Sequence, residues 1–120
     1  MIIKYVEERR CDVNEPDLSL TLGTNYICLG ISFRSDRNPT MFTVCRDSDG
    51  EPVQFEAKLF TLVDESIPND WVIEAQNKEY YGHGSFCLSP KEFAGDFWSN
   101  YHDGDEKAEQ IFLDVVKRLA

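Results

Sequence analysis

The sequence predicts an α+β fold: a mainly antiparallel, curled β-sheet (a meander) with two C-terminal α-helices packed against it. Three observations carry this expectation. Short runs of alternating or β-branched residues, separated by turn signals, fill residues 1–88. The gaps between them are shorter than the dozen or so residues that a βαβ crossover needs. After residue 89 the apolar period changes from strand-like to helical. The expected organisation is one domain over 1–120, β-rich through 88 and a helical hairpin over 89–120.

Taken in order, Ile2 to Glu7 reads as an opening strand, and the polar stretch from Arg9 to Asp17, which carries Pro16, as a loop. Leu18, Leu20 and Leu22 alternate with Ser19, Thr21 and Gly23, which predicts a half-buried strand. A turn at Thr24-Asn25 leads into a central strand from Tyr26 to Phe33, with Ile27, Leu29, Ile31 and Phe33 on one face and Tyr26, Cys28, Gly30 and Ser32 on the other. Turn residues from Arg34 to Pro39 end it, and β-branched and aromatic side chains resume from Met41 to Arg46. Asp47-Ser48-Asp49-Gly50-Glu51-Pro52 predicts a hairpin turn into Val53-Gln54-Phe55 and Lys58 to Val63. An acidic loop, Asp64 to Asp70, precedes a strand from Trp71 to Ala75, and Tyr80-Tyr81 and Ser85 to Leu88 flank a turn at Gly82-His83-Gly84.

Ser89-Pro90-Lys91-Glu92 has the composition of a capping box, with Ser89 as N-cap and Pro90 at the first helical position. The helix it predicts stacks Phe93, Phe97 and Tyr101, with Ala94 and Trp98 beside them. Asp103-Gly104-Asp105-Glu106 breaks that helix and starts a second, with Asp103 or Asp105 as N-cap. Ala108, Ile111, Phe112, Val115, Val116 and Leu119 follow the i, i+3, i+4, i+7 rule, and Lys117 and Arg118 suit the negative end of the helix dipole.

The chain has 120 residues, 12 Lys+Arg and 22 Asp+Glu, a formal charge of −10. At this size a folded chain exposes about 6,600 Å² of the roughly 20,000 Å² it shows when extended, enough burial for a single core without staples. Hydrophobic residues at 42% argue against intrinsic disorder. The negative charge makes nucleic acid and anionic membranes unexpected partners, since both reward cationic surfaces. Charged residues follow Met1 too soon for a secretory signal, and no run approaches the ~20 apolar residues of a membrane span, so a cytoplasmic protein is expected.

No metal, cofactor or catalytic residue is expected. Cys11, Cys28, Cys45 and Cys87 form no C-x-x-C pair, and the apolar settings of Cys28 and Cys45 fit buried thiols. The 47–51 loop crowds oxygen ligands around a glycine, but glycine stands fourth and Lys58 twelfth, where an EF-hand needs glycine sixth and glutamate twelfth. His83 and Cys87 on one strand would stand about 13 Å apart, too far for a dyad, while His102 with a distant cysteine stays open. Gly82-His83-Gly84 reads as a turn. Trp71 fits the core better than an interface anchor. The carboxylates select no glycosidase-like pair. They read either as a solvated face or, in loops 47–51 and 64–70 with Glu74 and Glu79, as a negative field aimed at a cationic partner.

The succession Ile67-Pro68-Asn69-Asp70-Trp71-Val72-Ile73, Ser89-Pro90-Lys91-Glu92-Phe93, Asp96-Phe97-Trp98-Ser99-Asn100-Tyr101 and Asp103-Gly104-Asp105-Glu106-Lys107-Ala108 resembles the C-terminal half of small acidic bacterial immunity proteins of polymorphic-toxin and contact-dependent growth-inhibition systems. The resemblance spans residues 55–120. It implies a cytoplasmic, non-enzymatic protein whose partner is the C-terminal domain of a cognate toxin, often a nuclease, whose active site it blocks. A nuclease carries a basic groove for phosphates, which an acidic protein can occupy. Turn-borne carboxylates reach a partner without disturbing a sheet, which singles out Asp47, Asp49, Glu51, Asp64, Glu65 and Asp70 as toxin-binding residues. The alternatives are an acidic adaptor or subunit for a non-toxin protein, and a small hydrolase.

Overall fold

The computed structural model describes residues 1–12, 15–34 and 39–120. Among these, the elements run β1 (Ile2–Tyr5), β2 (Arg10–Asp12), β3 (Glu15–Pro16), β4 (Asn25–Ile27), β5 (Gly30–Phe33), β6 (Met41–Cys45), β7 (Pro52–Glu56), β8 (Phe60–Asp64), β9 (Trp71–Ala75), α1 (Lys78–Tyr81), β10 (Phe86–Pro90), α2 (Phe97–His102) and α3 (Glu106–Leu119). All described pairings are antiparallel. They form a three-stranded sheet in the order β4-β1-β8 and a five-stranded sheet in the order β7-β6-β5-β10-β9, with β2 and β3 as a separate ribbon. The α+β class, the antiparallel sheets and the two C-terminal helices packed on them agree with the sequence reading. Ser35 to Asn38 of the turn predicted from Arg34 to Pro39 lie outside the described residues, as do Val13 and Asn14 of the predicted loop.

The predicted central strand is two strands in different sheets. The N–H of Cys28 donates to the carbonyl of Met1 (3.0 Å), beside β1, whereas the next N–H, of Leu29, donates to Thr43 of β6 (2.8 Å). The chain thus changes sheets between β4 and β5, and the two-residue alternation fails there. It changes again after β7, where a 3₁₀ turn at Ala57–Leu59 splits the run predicted from Val53 to Val63 and hands β8 to the smaller sheet.

Leu18 to Leu22 is a pair of turns and not a strand. The Asp17 carboxylate accepts the Ser19 N–H (2.9 Å), and Thr24 N–H reaches Thr21 C=O (3.2 Å) while Gly23 N–H reaches Tyr5 C=O (2.8 Å). Turn partners, and Tyr5 of β1, satisfy backbone groups that a ladder would have used. Of the alternating leucines only Leu20 is buried; Leu18 is 81% exposed and Leu22 50%. The stretch read as a loop from Arg9 to Asp17 holds the β2–β3 ribbon and closes at its base. There Asp17 N–H donates to Arg9 C=O (2.8 Å), and Arg9 Nε donates to the buried Asp17 carboxylate (2.6 Å). Burial opposes ionisation of Asp17, but its hydrogen bonds from Ser19 and Arg9 outweigh it and hold the carboxyl below the usual range.

Tyr80-Tyr81 belongs to one turn of helix, α1. Asn77 starts it by accepting the Glu79 N–H on its side chain (2.9 Å) and the Tyr80 N–H on its carbonyl (3.2 Å). The Ser89-Pro90-Lys91-Glu92 capping box does not form. Ser89 and Pro90 extend β10 opposite Val72 and Trp71 of β9, and ladder pairing wins because both residues are buried by it. Only a 3₁₀ turn, Lys91–Phe93, follows, and Gly95 at φ 67° separates it from α2. Phe93, Phe97 and Tyr101 still stack as the sequence spacing implies, with ring centroids 4.8 and 6.1 Å apart. The last helix starts where expected, with the Asp105 side chain accepting the Lys107 N–H (3.1 Å).

Two cores result. Between the sheets lie Ile3, Tyr5, Cys28, Phe42, Val44, Phe55, Phe60 and Trp71, so Trp71 is a core residue. Leu29 joins Phe93, Phe97, Ala108, Phe112 and Val115 in a second core, where the helices cover Ile27 and Cys45. The aromatic cation contact of Arg9 over the Phe55 ring, 4.3 Å from its centroid, caps the first core.

The turn geometry of 18–22 predicts unequal costs for its leucines. In urea denaturation, Leu20→Ala loses about 2–5 kcal/mol, as large-to-small core changes do, whereas Leu18→Ala and Leu22→Ala stay within about 0.5 kcal/mol of the parent. Equal losses at Leu18 and Leu20 would instead fit a strand.

Candidate functional site

The six carboxylates singled out from the sequence fall into two groups at opposite ends of α3. Asp47, Asp49 and Glu51 occupy the β6–β7 hairpin turn, beside the start of α3, whereas Asp64, Glu65 and Asp70 occupy the β8–β9 loop, whose residues meet Arg118 and Leu119 at its end. A helix of this length spans about 21 Å at 1.5 Å per residue. They do not form one patch.

The hairpin group is fixed in place by neutral and charged partners. Asp47 accepts from the Thr21 hydroxyl (2.7 Å) and from the Tyr26 hydroxyl (3.0 Å), tying the turn to the 18–26 segment. Asp49 pairs with Arg46, whose Nε donates at 3.1 Å, and also accepts the Glu51 N–H (3.0 Å). The turn closes on itself, with Gly50 at φ 71° supplying the left-handed residue that Asp-Gly turns require. Glu51 accepts from the Tyr101 hydroxyl of α2 (3.0 Å). Burial, and after it the hydrogen bond and charge of Glu51, push the Tyr101 phenol up to about 12.

Between the hairpin and the helices lies a cleft of about 490 Å³ lined by Asp49, Glu51, Tyr101, His102, Glu109 and Leu113. Glu109 is a site residue that the sequence reading did not single out. Its signal was helical spacing: it sits in the first turn of α3 with Glu106, one turn after Asp105. There acidic side chains face the positive end of the helix dipole, which offsets their mutual repulsion. Asp103, Asp105, Glu106 and Glu109 therefore add to the negative field of the hairpin, against Arg46, already paired, and Lys107.

The loop group has different partners. Arg118 bridges Asp70 (3.0 Å) and Glu92, pinning the end of α3 to the start of β9. Its hydrogen bonds hold the Glu92 carboxyl below the usual range. Asp64 accepts the Ser66 N–H (3.0 Å), and this backbone bond lowers its pKa. Glu74 accepts the Gly95 N–H (2.7 Å) and so connects β9 to the turn before α2.

Among the described residues no group of three or more His, Cys, Asp or Glu side chains could hold a metal ion, and no helix is long and apolar enough to cross a membrane. Burial pushes the Cys28 and Cys45 thiols up to about 11 and raises that of Cys87, so these three are neutral thiols near pH 7 and weak nucleophiles. His83 sits in the turn before β10, off the strand that carries Cys87. What the arrangement offers is a fixed anionic surface at the hairpin end of α3.

The Tyr101–Glu51 bond has a pH signature. Because the folded phenol titrates above an ordinary tyrosine, its contribution to stability is intact below pH 10 and is lost as pH rises toward 12. In an ultraviolet titration of the folded protein, one tyrosine ionises near this upper limit, and Glu51→Gln brings that midpoint down while leaving it above 10, since burial remains. No family model, curated protein or solved structure matches the chain significantly.

Proposed function

We propose that this chain is a non-enzymatic immunity protein of the polymorphic-toxin type, acting in the cytoplasm by occluding the active site of a basic toxin domain. The single observation that supports the reading most is the hairpin end of α3, where Asp49, Glu51 and Glu109 line one cleft with no lysine or arginine among its described lining residues, Arg46 pairing with Asp49 beside it. A nuclease groove built to hold phosphates presents the complementary charge. Turn-borne carboxylates that are already held by Arg46, Tyr101 and backbone N–H groups lose little freedom on meeting it. The resemblance of residues 55–120 to acidic immunity proteins points the same way.

The two carboxylate groups have different roles in this reading. The hairpin group, joined by Glu109, forms the contact, and Asp64 and Glu65 contribute only to long-range steering. Asp70 serves the fold through Arg118.

The test is stopped-flow association with the basic C-terminal domain of a toxin encoded next to this gene. The double variant Glu51→Lys/Glu109→Lys slows association on the order of ten-fold or more at low salt and flattens the dependence of rate on ionic strength. Asp64→Lys/Glu65→Lys has a smaller effect. Co-expression of the parent chain rescues cells from that toxin. An unchanged rate and salt dependence in the hairpin variant would remove the contact assignment, and failure of rescue would remove the immunity reading.

A further inference from the structure

The inner face of the five-stranded sheet carries Ile31, Phe42, Val44 and Phe55 into the core. Its outer face is polar and only partly covered by the helices, leaving a groove of about 420 Å³, within the range of small-molecule sites. Ser32 and Gln54 floor the groove, Glu74 and Gln76 line it from β9 and the residue after it, and Trp98 and His102 line it from α2. At Gly30 the floor is flat by necessity: a Cβ there would stand 3.2 Å from the Ser89 Cβ.

The formal charge of this lining is one-sided. Gln54 is spent, its Nε2 donating to Ser32 Oγ (2.8 Å) and its Oε1 accepting from Arg34 (3.3 Å). Glu74 brings a full negative charge, with Oε2 held by the Gly95 N–H. Gln76 Oε1 is a buried acceptor that no donor meets, a condition that costs about 1–3 kcal/mol unless something fills it. Trp98 lines the same groove, its ring stacked with that of His102 at a centroid distance of 6.0 Å. Among the described residues no lysine or arginine lines the groove, although the Arg34 guanidinium reaches Gln54 at its floor. Cys87 and His102 share it, but the thiol is buried and its pKa is raised, so the cavity is not built for nucleophilic chemistry.

An unmatched acceptor, a carboxylate and an indole face together select a flat cation with forked donors. A guanidinium fits: one N–H edge can donate to Glu74 and another to Gln76 Oε1 once that side chain turns from its buried position toward the groove, with the lining indole offering a cation–π contact. We propose that this groove is a guanidinium-binding site, taking either an arginine side chain of a partner protein or a free alkylguanidine. It is distinct from the hairpin cleft, sharing only His102 with it, and it does not depend on the toxin reading.

The experiment uses the full chain and two probes, ethylguanidinium chloride and the amidated peptide Ala-Arg-Ala, with ethylurea as the uncharged control. Amide shifts are followed by NMR, and indole fluorescence is compared with that of Trp98→Phe. Saturable shifts at Glu74, Gln76 and Trp98, absent with ethylurea, are expected. Glu74→Gln, which keeps an acceptor for Gly95, weakens binding on the order of ten-fold because the charge-assisted bond is lost. Gln76→Leu weakens it without altering the fold. Tighter binding of the peptide identifies a partner's arginine as the source, and tighter binding of ethylguanidinium a small molecule. No saturable shift with either probe, equal shifts with ethylurea, or unchanged affinity in Glu74→Gln would overturn the site. None of these results depends on whether a toxin binds the hairpin end.

Discussion

The architecture turns on two adjacent residues, Cys28 and Leu29. Their amide groups bond to different sheets, one to Met1 beside β1 and the next to Thr43 of β6. Their side chains are buried in different cores, Cys28 between the sheets and Leu29 under the helices. In a continuous strand, neighbours also point to opposite faces, but both faces then belong to one sheet. Here the direction of the chain changes as well, so a single peptide unit fixes the smaller sheet, the larger sheet and the helical layer against one another. A substitution that enlarges either side chain strains two packings at once, and close-packed interiors do not absorb that locally.

The helical layer follows from this junction. Leu29 anchors the Phe93, Phe97 and Phe112 cluster where the larger sheet meets β4 of the smaller one, and Ile27 of β4 and Cys45 of β6 complete the contact. Trp98 and Tyr101 extend the cluster along α2, with Trp98 4.9 Å from Phe93 and Tyr101 5.1 Å from Phe112 by ring centroid. The remainder of that face stays open, and its polar side chains form the groove. Tyr101 projects from the same cluster to Glu51, so the packing that builds the groove also locks the hairpin turn. The two cavities are consequences of one packed aromatic layer.

Much of this was legible in the sequence, and the failures share a cause. Turn chemistry at Asp47 to Pro52, helical spacing from Ala108 to Leu119 and the capping role of Asp105 act over a few residues, and each appears in the structure. Where the reading failed, a distant partner outbid a local preference. Ser89 and Pro90 carry a helix-start pattern but pair with Val72 and Trp71. Tyr26 to Phe33 alternates as one strand but is divided by bonds to Met1 and Thr43, neither adjacent in sequence. Leu18 and Leu22 alternate with Leu20 yet stay largely and half exposed, respectively. At the candidate site, Asp49 and Glu51 were legible as turn residues, but only folding brings Glu109 into the same cleft, and only Arg118, 48 residues away, shows that Asp70 is engaged.

Charge of one sign at this density works against compaction, and the fold contains the offsets. The acidic start of α3 meets a positive dipole end. Arg46 holds Asp49, a phenol holds Glu51, and hydroxyls hold Asp47. The hydroxyl partners of Asp47 and Glu51 lower the cost of a carboxylate without removing its charge, whereas Arg46 offsets that of Asp49. Neutralisation by lysines would have been simpler, and the sequence supplies 12 Lys+Arg for 22 Asp+Glu. The hairpin end instead retains its field while losing its freedom to move. Fixed charge in a fixed geometry favours association by reducing the ordering that a cationic partner must impose. It also disfavours partners whose charges fall out of register, because a locked carboxylate cannot follow them.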